Sequence, residues 1–133
     1  MKIIKSLFAF AAFFALNSVS AQTIIDRWPQ IKAYHELMSK TYHPAEEGNL
    51  EPIRNNSELL LKKAEALSVE TMPQEFRNPK TIETLIKLKK QTQVVNDLVR
   101  KKAADDEITK ALALLHDTFH KIVGMCQSEK NNS

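Results

Sequence analysis

The chain is poor in the residues that make sharp turns and crosslinks: 133 residues include two glycines and one cysteine. A lone cysteine, Cys126, cannot close an internal disulfide, so the fold must be held by packing, or by packing plus a bound ligand. In an oxidising compartment that thiol is either buried or available to join two chains into a homodimer. No segment alternates apolar and polar residues, which argues against half-buried strands. Excess charge is lacking too. The formal net charge is +3, but removing Lys2 and Lys5 of a leader from the 19 basic residues leaves 17 against 16 acidic ones. A nucleic-acid or anionic-membrane partner therefore has no electrostatic support. There is no glycine loop for phosphates, no serine or cysteine beside a plausible base, and no carboxylate pair on an apolar face, so an enzyme is not expected.

The leader is the opening "MKIIKSLFAFAAFFALNSVSAQ". Lys2 and Lys5 make a positive start, Leu7 to Leu16 is an unbroken apolar run, and Val19-Ser20-Ala21 offers small residues to a signal peptidase. A run of about ten residues is half of the roughly 20 that span a bilayer, and no cysteine near the cleavage point could carry a lipid. The reading is a cleaved signal peptide over 1–21, bacterial in style, and a mature periplasmic domain over 22–133 with no stable membrane anchor. That domain has 112 residues, 133 less 21, enough for a single core.

A period of 3.6 residues appears four times along the rest of the chain. From about Thr23 to Tyr42, Ile24, Trp28, Ile31, His35, Met38 and Tyr42 form an a/d seam. A second helix is expected to start at "HPAEEGNLEPI", with Pro44 in its first turn, Pro52 as a kink, and Leu50, Ile53, Leu60, Ala64 and Leu67 inward. "SVETMPQEFRNP" reads as a long crossing loop. The third segment, about Lys80 to Ala103, offers Leu85, Leu88, Val95, Leu98 and Val99. The fourth, capped by Asp105, offers Ile108, Leu112, Leu115, Phe119, Ile122 and Cys126. Helices of this length with short, long and short connections predict an all-α, antiparallel up-down-up-down four-helix bundle.

With that order of helices, the Pro-containing loop and "NDLVRKKAADDEITKALALLHDTFHKIVG", the chain resembles the cytochrome c-prime and soluble b-type cytochrome bundles. The resemblance implies a haem ligand near the end of helix four, and "TFHK" puts His120 there. No Cys-x-x-Cys-His is present, which excludes covalent haem. The b-type relatives use a methionine in the first turns of helix one, where this chain has "DRWPQ". Met38, the methionine this helix has, lies farther along.

The four histidines, His35, His43, His116 and His120, all fall on helices one and four or just after helix one. His116 and His120 are spaced i, i+4, so one helix holds both nitrogens on one side. On a helical wheel they lie roughly 70° and 110° from the centre of the apolar stripe, on a flank that meets a neighbouring helix. Counting down from the shared end of an antiparallel pair puts His35 near the level of His116, and leaves His43 at the end among Glu46, Glu47, Asp105 and Asp106, where "HPAEEG" reads as the cap of helix two, with His43 and Glu46 as metal ligands the alternative. The expected site is a transition metal ion, Zn, Cu or Ni, bound by His35, His116 and His120. The alternatives are non-covalent haem on His120 with His35 or Met38 opposite, and a cofactor-free interaction or chaperone-like bundle.

Overall fold

The computed structural model describes residues 24–132, and every regular element among them is helical. The leader expected over 1–21 lies outside the described residues. After a helical turn at 24–27 come α1 (Pro29–Glu46), α2 (Glu51–Glu65), a 3-10 turn (Gln74–Phe76), α3 (Pro79–Arg100) and α4 (Asp105–Asn132). Each helix packs on the next, α1 also packs on α4, and the 3-10 turn packs on α4. Among the described residues, no helix is long and apolar enough to cross a membrane.

The first junction falls later than the sequence pattern predicts. Pro44 lies inside the last turn of α1, and Pro52 occupies the first turn of α2. Gly48 is the reason. It takes φ +92°, its N–H donates to the Ala45 carbonyl at 3.0 Å, and the Asn49 N–H reaches back to the Pro44 carbonyl at 2.9 Å. These two bonds make a Schellman turn, which needs a left-handed residue that glycine supplies without a Cβ clash. Pro52 then sits where a missing N–H costs nothing. The end of α3 uses the same turn with a worse residue. Lys102 has φ 57°, its N–H donates to the Val99 carbonyl at 3.1 Å, and the Ala103 N–H to the Leu98 carbonyl at 3.0 Å.

The cap of α4 also differs from expectation, while that of α3 is a side chain. Asn78 caps α3, its Oδ1 accepting the Thr81 N–H at 2.9 Å, with Pro79 following. Asp105 does not cap α4. The Ala104 carbonyl accepts the first amides, from Glu107 and Ile108, and the Asp105 carboxylate pairs with Arg54 of α2 instead. Asp105, Asp106 and Glu107 still place negative charge at the positive end of the α4 dipole.

The apolar stripes of α2 and α4 are buried at every position their spacing predicts, Cys126 included. In α3, Leu85, Leu88 and Val95 are buried, while Leu98 and Val99 are partly so. The stripe of α1 is rotated from the expected seam. Tyr34 and Thr41 take the buried positions, and His35 and Tyr42 are only half-buried. Both buried polar residues have partners. The Tyr34 hydroxyl meets Thr92 Oγ1 of α3 at 2.9 Å, and the Thr41 hydroxyl donates to the Met38 carbonyl at 2.9 Å. Tyrosine buries a full ring while satisfying its oxygen, whereas histidine in that place would bury two nitrogens for less apolar area.

The crossing loop is part of the core. Met72 and Phe76 are fully buried, and Arg77 braces the segment by donating to the carbonyls of Met72 at 2.9 Å and Glu70 at 3.0 Å. Arg27 pairs with Glu75 and lies 6.0 Å from the Phe76 ring centre, joining the loop to the turn before α1. Trp28, at the start of α1, is also fully buried.

Two sets of variants check these features. Lys102→Gly should raise stability by about 0.5–1 kcal/mol, since glycine relieves the left-handed strain at some cost in chain entropy. Gly48→Ala should lower it by a similar amount through conformation alone, because a Cβ there meets no atom within 4 Å. Phe76→Ala should cost about 3–5 kcal/mol, although it lies in a connection rather than in one of the long helices. Urea melts of the three variants measure all of this.

Candidate functional site: a histidine seam between α1 and α4

Rotation of α1 about its axis removes His35 from the core and turns it, with Tyr42 and His43, toward α4. The seam is built of stacked rings. The His35 ring lies on Phe119, centres 4.9 Å apart and 13° from parallel, and Tyr42 lies on His116 at 4.1 Å and 19°. His43 approaches His116 edge-on at 6.3 Å. On α4 itself the rings of His116 and His120 cross at 81° with centres 4.3 Å apart, and their Nε2 atoms stand 3.1 Å from one another.

The register differs from the count made on sequence. His35 sits at the level of Phe119, and Tyr42 with His43 at the level of His116. The expected end of the first helix is Tyr42, whereas α1 continues to Glu46, so His43 is within the helix and not beyond it. Asp105, expected beside His43, is taken up by Arg54.

Each ring has a distinct environment. His35 is half-buried, and its Nε2 lies 3.3 Å from the Ser39 hydroxyl. Burial, and then the neighbouring His120, hold its pKa below the ordinary 6.5. Burial and the same His120 also lower the pKa of His116. His43 is exposed, and its Nδ1 faces Glu46 Oε2 at 3.5 Å. Glu46 accepts the Tyr42 hydroxyl, and this bond, aided by His43, holds the carboxyl below the usual range.

Of the residues expected to bind metal, His116 and His120 are together. His35 is on the same seam, but its Nε2 is engaged by Ser39. Among the described residues, no group of three or more His, Cys, Asp or Glu side chains is already positioned to hold a metal ion. Met38, the haem alternative's second ligand, is fully buried in the core while His120 is exposed. A macrocycle bridging the two would require the core to open. The sequence pattern pairs His43 with Glu46; what it does not show is Tyr42 beside that carboxylate, because the expected helix end falls at Tyr42.

The lowered values fix the sign of a pH effect. The fold favours neutral His35 and His116, so as pH falls below about 6.5 the unfolded chain takes up protons that the folded one resists, and stability drops. The charges involved are His120, Glu36 and His43 around His35, and His120, Asp117, His43 and Glu46 around His116. Glu46 shifts in the sense that costs stability only nearer its own ordinary value of 4.5. Chemical denaturation at pH 7.5 and 5.5 should show the loss, and a His35→Gln, His116→Gln double variant should flatten it.

No family model, no curated protein and no solved structure among those compared matches this chain.

Proposed function

We propose that this is a periplasmic, secreted four-helix-bundle protein that binds a transition-metal ion through histidines of α1 and α4, in a binding rather than a catalytic role. The observation that carries the reading is the 3.1 Å approach of the His116 and His120 Nε2 atoms. Two neutral imidazoles meet in this way through an Nε2–H···Nε2 hydrogen bond between opposite tautomers, and the same approach lets one cation take both lone pairs. A metal about 2.0–2.1 Å from each nitrogen would see them at an angle of about 100°, within the range between square and tetrahedral coordination. The lowered His116 pKa keeps that ring neutral near pH 7, the form a metal ligand must have. Ligands on one helix are fixed relative to each other, and a ligand from α1 would close the site across the seam.

The antiparallel arrangement that this reading uses is supported by how the contacts run. Tyr42 stacks on His116 while Tyr34, a little over two turns earlier, approaches Phe119. Between α2 and α3, the Ser57 hydroxyl donates to Asn96 Oδ1 at 3.0 Å. Secretion rests on the pattern of residues 1–21.

Zn, Cu and Ni titrations followed by thermal melts test the proposal. A metal at 100 times its dissociation constant should stabilise by about 2.7 kcal/mol. For a domain of this size that is a rise of roughly 10–20 °C in Tm. His116→Ala or His120→Ala should abolish most of the rise. A melt that no metal shifts refutes the reading.

A further inference from the structure

Resting on that metal reading, we infer that the third ligand is His43, oriented by Glu46, and not His35. The candidates from α1 differ in what already occupies them. His35 lies flat on Phe119 and gives its Nε2 to Ser39, so ligation would break a stack and a hydrogen bond. His43 has no such ties on its Nε2 side. Its side chain is 65% exposed, and its ring already stands edge-on to His116 at 6.3 Å.

Glu46 supplies the orientation. Its Oε2 faces His43 Nδ1 at 3.5 Å, which draws the imidazole proton to Nδ1 and leaves the Nε2 lone pair free. A carboxylate behind the non-ligating nitrogen is how metal-binding histidines are generally held, and it raises the basicity of the ligating atom. The carboxylate is itself anchored. Tyr42 donates its hydroxyl to Glu46 while its ring lies on His116, so one side chain links the orienting group of α1 to a ligand of α4. The set is then Nε2 of His43, His116 and His120, with Glu46 as positioning residue and a fourth position left to water.

Calorimetric titration with zinc chloride and electron paramagnetic resonance of the copper(II)-loaded protein test the assignment. The wild-type spectrum should show coupling to three imidazole nitrogens. His43→Ala should lose one coupling and weaken binding by more than Glu46→Gln, which should itself cost about 10–100-fold. His35→Ala should keep the three couplings and the affinity. His43→Ala with unchanged couplings and affinity overturns this inference while leaving the metal reading intact, and couplings lost in His35→Ala would assign the place to His35. A wild-type protein that takes up neither ion overturns both. Because His43 is exposed, circular dichroism of its variant should match the wild type.

Discussion

The hydroxyl of Tyr34 meeting Thr92 inside the core, 2.9 Å away, fixes how α1 is turned about its own axis. Adjacent helical residues point about 100° apart, and with Tyr34 turned inward His35 falls on the flank of the stripe. Tyr42, two turns and one residue further along, then emerges on the same flank as His35. The hydrogen bond ties α1 to α3, yet its effect is felt on α4, where the displaced rings find Phe119 and His116 to lie upon. The histidine seam is thus a by-product of where one tyrosine could satisfy its oxygen.

Other polar groups, buried or part-buried, work in the same way at other contacts. Ser57 meets Asn96 between α2 and α3, and the hydroxyls of Thr81 and Thr84 approach the sulfur of Met125 at 3.9 and 3.7 Å between α3 and α4. Apolar stripes alone tolerate sliding and rotation, since one leucine packs much like another. A matched polar pair does not, because each partner left alone inside costs about 1–3 kcal/mol. The pairs therefore pin rotation and register while the leucines supply most of the stabilisation.

This division explains what could be read from the sequence. In α2 and α4 most inward residues are aliphatic or Phe, so spacing alone identifies them, while buried Ser57 and Thr118 escape it. In α1, Tyr34 and His35 stand side by side, as do Thr41 and Tyr42, and each pair offers two amphipathic residues to one inward place. Periodicity cannot choose between members of such a pair; a partner on another helix does. Two prolines and one glycine competed to mark the first junction, and the glycine's left-handed turn prevailed. Met72 and Phe76 were invisible as core because a loop has no period. At the candidate site, the His116–His120 spacing was legible because it is internal to one helix. Which part of α1 faces it depended on where α1 ends.

Trp28 gives one more consequence. It is the only tryptophan in the sequence, it is fully buried, and it begins the same helix that carries His43. Fifteen residues separate the two along α1, which at 1.5 Å per residue is about 22 Å. The indole is thus far from His43 but joined to it by the helix. Its fluorescence is a single-site signal with no background from a second indole. An emission change at Trp28 caused by an event at His43 would mean that α1 had carried the change along its length.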